Sequence, residues 1–426
     1  MKEDLLHFIW RCGKLQGLPL TTTTSEHIAI RKPGTLNKYA GPDFFNAVIE
    51  VGGQLWAGNV EMHLKSSDWY AHHHETDDNY NNVILHVVWE HDIAVFRKDG
   101  SKIPVLQLKE HVPEKLLAKY NDLFSNLSTN FINCEKDFDT INVFLVENWY
   151  HRLFIERLEQ KSDLILELLE KSKNDWEGVL FKMLARNFAS KLNGGFFLDK
   201  VMGLDFSVIR KTANNTTQLE SLLFGHFGLL ENETCKDQYY LRLKMEYEYL
   251  AQKFGLEPTM DKPKFFGLRP ANFPTIRVSQ LANLYIGNQN LFAHLMQTTT
   301  LDTFYDIFDA AASSYWNDHY TFGKVSRKSK KKLSKSFVDL LVINTILPLK
   351  FCYSMHLGQD WSNGLLSLAQ QIKKETNVII DGFGNLGSKT KNALESQAKI
   401  QLYNNYCSKN KCLQCNLGAH LLNRNT

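Results

Sequence analysis

The sequence predicts an α+β fold, in which a small N-terminal α/β domain with a mixed sheet precedes a larger, mostly α-helical domain. Two observations predict it. Between about residues 27 and 108, short β-branched or aromatic runs are separated by Gly, Pro, Asp or Asn, as in strands joined by turns. After about residue 140, apolar residues recur three and four positions apart, as in amphipathic helices. We therefore expect domains at 1–112 and 142–426, joined by a linker at 113–141.

The composition is that of a folded protein in a reducing compartment. The chain has 426 residues, 43% of them hydrophobic and 22% charged, with a formal net charge of +3. This length favours more than one domain, and the near-neutral charge leaves nucleic-acid binding to local patches. The seven cysteines, scattered except for a C-terminal trio, favour thiols or metal ligands over a disulfide framework. No apolar run approaches the roughly 20 residues of a membrane span, so we predict a cytoplasmic protein without membrane association.

The N-terminal elements follow from local patterns. Residues 1–12 suit a short amphipathic helix. A hairpin is expected where "VGGQ" separates the runs "FFNAVIEV" and "QLWAGNVEMHLK". Alternation along the first run puts Phe45 on the same face as Ala47, and alternation along the second puts Glu61, His63 and Lys65 together. The run "NVFLVENWYHRLFIERLEQKSDLILELLEKS" predicts one long helix, or two.

Two carboxylates of this hairpin are candidate metal ligands. Asp43 stands at the mouth of the first strand, 18 positions before Glu61 on the second. Neighbouring strands in register can bring both side chains to one cation, and hard oxygen ligands suit Mg²⁺ or Mn²⁺. Such a metal can activate a water and neutralise charge on a phosphoryl oxygen. The hairpin therefore predicts a catalytic metal site.

The order helix, strand, "PD", hairpin, "E-x-basic", helix, strand resembles the PD-(D/E)xK superfamily of phosphodiesterases, also called restriction-endonuclease-like. The resemblance covers roughly residues 1–95. It implies a restriction-endonuclease-like fold for the N-terminal domain and a metal-dependent nuclease acting on DNA or RNA. It also implies that Asp43 and Glu61 bind the metal and that a lysine two residues later assists the water.

The sequence departs from this pattern at the lysine. His63 occupies its position, which makes the motif a degenerate PD-ExH, and Lys65 lies one pleat further along the same face. Either His63 or Lys65 would then position the water. The resemblance also makes Glu3, in the first helix, a candidate for the acidic residue that many members carry there.

Other interpretations of this region stay open. A Pro-Asp before a strand is often only a turn, and a Glu-x-His-x-Lys face is often only solvated. A non-catalytic nucleic-acid- or protein-binding module on the same fold is the alternative function. An enzyme acting on a small phosphorylated metabolite is a third interpretation, but the sequence has no Gly-rich loop that would cradle a phosphate.

A histidine-rich segment, "DWYAHHHETDDNYNNVILHVVWEHD", follows the hairpin. Its spacing alone predicts no tight metal triad. His86, in an apolar strand, is more simply a buried and hydrogen-bonded imidazole. His73 and His74 are candidate contacts for phosphate oxygens.

Three cysteines near the C-terminus are candidate soft-metal ligands. Cys407, Cys412 and Cys415 lie within nine residues. Zinc or an iron–sulfur cluster needs four such ligands. The candidates for the fourth are His420, Cys352 and Cys134. Three ordinary reduced thiols remain the alternative.

Basic residues of the helical domain are candidate nucleic-acid contacts. "KVSRKSKKKLSKS" includes Lys330, Lys331 and Lys332, and "GLRPANFPTIRVSQLANL" includes Arg269 and Arg277. Such side chains suit a phosphate backbone. The alternatives are a solvated loop for the first segment and structural docking for the second.

The motifs "GPDFFNA", "GNVEMH", "SSDW", "NNVILHVVWEHD" and "LRPANFP", with the terminal cysteine trio, also resemble a family of bacterial proteins described only as a domain of unknown function. This resemblance extends over nearly the whole chain. It implies no activity.

Overall fold

The computed structural model describes residues 2–37, 39–125, 130–257, 261–360 and 362–424. The chain forms two compact units. The sheet unit comprises Met1–Trp149 and Leu402–Thr426, and the helical unit comprises Tyr150–Gln401. The predicted α+β class is confirmed. Compactness does not show that either unit folds alone, so the predicted domain boundaries stay predictions.

The sheet unit is built on a seven-stranded mixed sheet. Its strands are β1 (Leu20–Thr21), β2 (His27–Lys32), β3 (Thr35–Leu36), β4 (Phe44–Val51), β5 (Gln54–Lys65), β6 (Val83–Glu90) and β7 (Val105–Gln107). The order is β1-β2-β4-β5-β6-β7, with β3 beside β4. Pairs up to β4–β5 are antiparallel, whereas β5–β6 and β6–β7 are parallel.

A parallel pair needs a crossover connection between its strands. Between β5 and β6 this connection contains the short helix α2 (Asp68–Ala71) and a 3₁₀ turn, Asp78–Tyr80. The histidine-rich segment is therefore the crossover, and it begins and ends at the same two strands that carry Glu61 and His86.

Helices complete the sheet unit. The predicted first helix is confirmed as α1 (Glu3–Arg11), whose apolar side chains from Leu5 to Trp10 are buried. A second helix, α3 (Glu114–Ser125), occupies part of the segment predicted as a linker, and a 3₁₀ helix spans Glu135–Thr140. The last helix, α18 (Asn416–Asn423), packs against α3.

The register of β4 with β5 shifts by one residue near Asn46, which has a φ of +57°. Such a β-bulge moves the following side chains to the other face. The predicted pairing of Phe45 with Ala47 on one face is therefore wrong, because Phe44 is buried with Ala47 while Phe45 is half-buried. The bulge lies three residues after Asp43.

The remaining α-helices lie in the helical unit, except that the first of them begins at Val143, before the unit border at Tyr150, and the last ends at Leu402. The helical unit also has a small two-stranded sheet of β8 (His319–Thr321) and β9 (Lys324–Val325). The long helix predicted after residue 142 is a single helix. The helices, in chain order, are α4 (Val143–Lys171), α5 (Trp176–Phe188), α6 (Ser190–Met202), α7 (Phe206–Thr212), α8 (Thr216–His226), α9 (Gln238–Phe254), α10 (Pro274–Gly287), α11 (Leu291–Gln297), α12 (Leu301–Ile307), α13 (Lys335–Leu341), α14 (Leu347–His356), α15 (Ser362–Gln371), α16 (Val378–Asn385) and α17 (Ala393–Leu402).

One helical stretch among the described residues, Lys335–His356, is long and apolar enough to cross a membrane by length and composition. Its apolar run is interrupted by Asp339 and Lys350, so the sequence has no uninterrupted run of membrane-spanning length there. Its most apolar window has a mean hydropathy of 1.4, and 61% of that window is buried inside the structure. A mostly buried core helix passes the same test, so this stretch is weak evidence for a membrane span.

Candidate active site

The start of β4 and the middle of β5 bring the carboxylates of Asp43 and Glu61 together. The Asp43 backbone N–H donates to Glu61 Oε2 over 3.0 Å, and the Met62 N–H donates to Asp43 Oδ2 over 3.0 Å. Each carboxylate is thus held by the backbone of the other strand. This reciprocal arrangement follows from the antiparallel register, which pairs Phe44 with Val60.

Glu61 is a buried acid beside a second acid. Only 5% of its surface is exposed, and Asp43 is half-buried. Burial and then the Asp43 carboxylate raise the pKa of Glu61 to about 9. A carboxylate that is buried beside another carboxylate is stabilised when it binds a proton or a cation.

Helix α1 adds two titratable groups to the carboxylate pair. His7 Nε2 lies 3.2 Å from Asp43 Oδ2. Burial lowers the pKa of His7, but the hydrogen bond with Asp43 and the Asp43 charge outweigh burial and raise it. Burial and then the Asp43 charge raise the pKa of Glu3, and its part in the site stays a prediction.

Three imidazoles form a second group of ligands beside Glu61. One ring nitrogen from each of His63, His72 and His74, hereafter the histidine triad, lies within 4.8 Å of the other two. His63 Nε2 is 3.0 Å from His72 Nδ1. Glu61 Oε1 lies 3.3 Å from His74 Nε2 and 3.6 Å from His63 Nε2. Separations of about 3 Å are those of neighbouring ligand atoms on one metal ion with bonds near 2.1 Å.

His86, on the adjacent strand β6, supports His63 from behind. Its Nε2 lies 2.8 Å from His63 Nδ1, and its side chain is fully buried. Burial, then the neighbouring imidazoles, lower the pKa of His63 to about 2 and of His86 to about 3. Both rings are therefore neutral near pH 7, the state in which histidine binds a metal. A buried partner on the second ring nitrogen is also how metal-binding histidines are oriented.

The triad depends on a backbone turn that sequence spacing does not reveal. His73 has a φ of +60° and is exposed. The turn leaves His72 and His74 beside the same partner, His63, while His73 faces solvent. His74 is held by stacking on Tyr80, with ring centroids 3.7 Å apart. The three consecutive histidines 72–74 were the sequence signal for this site. Helical spacing, which was assumed for them, does not bring His72 and His74 to one partner.

The two candidates for the lysine position differ in placement. His63 is buried in the site, with 1% of its surface exposed. Lys65 is exposed at the last residue of β5, and its ammonium interacts with the Asp92 carboxylate. His63 is therefore the residue that lies near Glu61.

The candidate nucleic-acid contacts of the helical unit fall into two classes. Arg277 and Lys331 are buried: Arg277 donates to Asn272 Oδ1 over 2.6 Å, and Lys331 donates to the Asn317 carbonyl over 2.8 Å. Arg269, Lys330 and Lys332 are exposed, and Lys332 forms an ion pair with Asp309. Arg277 also lines a cavity of about 830 Å³ in this unit, together with Lys161, Arg186 and Lys191. Their contact with nucleic acid stays a prediction.

The terminal cysteine trio lines a separate, small cavity of the sheet unit. The same cavity is lined by Cys134 and not by His420. Cys352 belongs to the helical unit and lines a different cavity.

Comparison with known proteins identifies one similarity. A family model described as "Protein of unknown function (DUF2851)" matches residues 3–378. The match includes Asp43, Glu61 and all the histidines of the site, and it ends before the cysteine trio. Neither a curated protein nor a solved structure matches the chain.

Proposed function

Because the chain belongs to the DUF2851 family, whose description assigns no activity, we propose its function from the geometry of the sheet unit. The protein is a metal-dependent hydrolase of phosphodiester bonds in DNA or RNA. One observation carries this proposal: the Glu61 carboxylate lies between Asp43 and the histidine triad, so that oxygen and nitrogen ligands converge on one region.

The donor set favours Mn²⁺ over Mg²⁺. Mg²⁺ prefers oxygen ligands and keeps several waters, whereas imidazole nitrogen suits transition metals. Glu61 and the histidine triad would hold the ion, and Asp43 would lie beside it. A cation would also offset the repulsion between the two carboxylates, which otherwise favours a protonated Glu61.

The chemistry requires that substrate and water reach the ligands from one side. Asp43 and His72 lie at the more exposed side of the site, whereas His63 and Glu61 are buried. When bound, the metal would supply an acidic water and an electrophile for a phosphoryl oxygen. Asp43, which is not one of the proposed ligands, is placed to accept a proton from such a water. His63 would be a buried ligand at the position where the superfamily pattern has a lysine.

The order of elements supports the same proposal. The path α1, β2, "PD", the β4–β5 hairpin, α2 and β6 is the path that the PD-(D/E)xK resemblance implies. Arg269, Lys330 and Lys332, all exposed, remain candidates for contact with a phosphate backbone. We place the protein in the cytoplasm.

A cleavage assay with matched carboxylate variants tests the proposal. Wild type, Asp43→Asn, Glu61→Gln and Glu50→Gln would be incubated with single- and double-stranded DNA and RNA. Mg²⁺, Mn²⁺, Zn²⁺ and a chelator would be compared. Glu50 is the control, because it lies on the same hairpin but forms an ion pair with Arg31. We expect Mn²⁺-dependent cleavage by wild type and Glu50→Gln, lost in the other two.

Two outcomes would contradict the proposal. Equal cleavage by wild type and Glu61→Gln would identify a contaminating nuclease. Absence of cleavage with every metal, despite metal binding, would leave the sheet unit without the proposed activity.

A non-catalytic binding module is the second candidate function. The observation that favours it is His63, which replaces the expected lysine and whose two ring nitrogens are within hydrogen-bonding distance of His86 and His72. This candidate predicts that nucleic-acid affinity in a gel-shift assay is unchanged by chelator and by Glu61→Gln. A loss of affinity in either case would exclude it.

A further inference from the structure

Two segments far apart in the chain meet around one cavity of the sheet unit. One runs from Ile132 to Phe138 and the other from Leu402 to Gly418. Together they bring four thiols to one place. The four are Cys134, Cys407, Cys412 and Cys415.

The four cysteines are free thiols in a largely buried, mostly apolar pocket. Three of them are buried and Cys407 is partly buried. The rest of the lining is mostly apolar. Burial raises the pKa of each thiol, that of Cys412 to about 11.

Hydrogen-bond donors approach two of the sulfurs. The Asn133 side-chain amide donates to Cys412 Sγ over 3.3 Å. The backbone N–H groups of Leu417 and Gly418 donate to Cys415. A neutral thiol is a weak acceptor, whereas thiolates bound to metals are regularly supported by such donors.

The backbone around the cavity is shaped to bring the segments close. Asn410 has a φ of +54°, and its side-chain oxygen accepts a second hydrogen bond from Asn133 over 3.1 Å. At Gly418 a Cβ atom would overlap the carbonyl oxygen of Cys412. A glycine is therefore needed for α18 to approach the cysteine loop.

We propose that Cys134, Cys407, Cys412 and Cys415 bind one thiophilic metal centre, a zinc ion or an iron–sulfur cluster, which fastens the two segments together. Four cysteine ligands from a closed pocket are the donor set of structural zinc and of iron–sulfur clusters. The proposal assigns the fourth ligand to Cys134, and it does not depend on the function proposed for the sheet.

Geometry alone does not choose between the two metals. Zinc–sulfur bonds of about 2.3 Å hold the four sulfurs of a tetrahedral site about 3.8 Å apart. Within the described parts of the chain, the histidine triad is a group of ligand atoms within 4.8 Å of one another, whereas the four sulfurs are grouped by the cavity that they line. The cavity is small. Metal analysis separates the two cases.

The experiment measures metal in full-length protein purified without oxygen. Iron, acid-labile sulfide and zinc would be quantified per chain, with the visible absorption spectrum, in wild type, Cys134→Ser and Cys12→Ser. Cys12 is an exposed thiol of the same unit and serves as the control. We expect a stoichiometric centre in wild type and Cys12→Ser, and a loss of about tenfold or more in Cys134→Ser, because a site without one of four ligands binds weakly.

A second measurement keeps the proposal testable should Cys134→Ser fail to fold. Titration of wild type with an organomercurial should release the metal as four thiols react. His72→Ala should keep this metal, which would separate it from the histidine triad. The proposal is overturned by wild type that contains neither iron nor zinc, or by Cys134→Ser or mercurial-treated protein that retains the metal.

Discussion

The histidine–carboxylate site and the cysteine cavity lie in the same compact unit but differ in access and in ligands. The first combines oxygen and nitrogen donors and has exposed members, such as His72. The second presents only sulfur and is enclosed by apolar side chains. Catalytic metal sites keep an open position, whereas structural sites are closed by protein ligands. Metals bound at the two sites, as proposed, would therefore differ in how readily they exchange with solvent.

Brief treatment with EDTA tests this difference with the largest expected effect. We expect EDTA to remove all metal-dependent cleavage, because the histidine–carboxylate site is open to solvent, while the cysteine-bound metal stays in place. Cleavage and metal content would be measured before and after buffer exchange, and Mn²⁺ should restore cleavage. Loss of the cysteine-bound metal at the same rate as activity would break the comparison.

Substitution of His86 tests how the ligands of the histidine–carboxylate site are held in place. His86→Leu removes the hydrogen bond to His63 Nδ1, so Mn²⁺ affinity should fall by roughly 10- to 100-fold, as for other partners that orient metal-binding histidines. Isothermal titration calorimetry measures this affinity. His27→Leu, on the exposed face of β2, is the control. An unchanged affinity in His86→Leu would show that His86 does not orient a metal ligand.

Gly418 tests the closed cavity. Gly418→Ala places a methyl group against the Cys412 carbonyl oxygen and should destabilise the protein by about 1–3 kcal/mol, without changing Mn²⁺ affinity at the histidine–carboxylate site. Chemical denaturation gives the free energy of unfolding. The control is Gly384→Ala, in a helix with open space around the added atom. Equal stability of the two variants would contradict the close approach.

The buried acid gives the open site a pH dependence in metal-free protein. The pKa of Glu61 is 4.5 in the unfolded reference and about 9 in the fold, so the folded state holds the proton more tightly. The free energy of unfolding should therefore decrease as pH rises between these values, by at most about 1.4 kcal/mol per pH unit. His63 and His86, whose pKa is lowered by burial, contribute in the opposite direction near their unfolded pKa of 6.5 and add little well above it.

Urea denaturation at pH 7, 8 and 9 in the presence of a chelator measures this slope. Glu61→Gln should flatten it, and Glu50→Gln should leave it unchanged. A slope that persists in Glu61→Gln would assign the proton to another group.

Much of the open site was predictable, because hairpin register follows from local sequence. The Gly-Gly turn sets the pairing of β4 with β5, and that pairing brings Asp43 beside Glu61. The histidine triad was not predictable by the same route, since it depends on one left-handed residue, His73, within a crossover. The bulge at Asn46 likewise changed the faces of the strand without a clear signal.

The cysteine cavity shows a different limit. Local spacing identified Cys407, Cys412 and Cys415 as a group. Three candidates for a fourth ligand remained, because the closeness of Cys134 depends on how distant segments pack. Sequence periodicity carries no information on such contacts. The α+β class, in contrast, depends only on the two kinds of periodicity, and it was predicted in full.

The cysteine cavity also has a consequence for biosynthesis. Residues 132–138 leave the ribosome early, but their partners from Leu402 onward are made only after the entire helical unit. Until residues 402–418 are made, Cys134 and the apolar residues beside it lack these packing partners. A chain that terminates before Leu402 never acquires them. The cysteine cavity would thus be the last part of the sheet unit to form. Premature termination would leave its apolar residues exposed to chaperones and proteases.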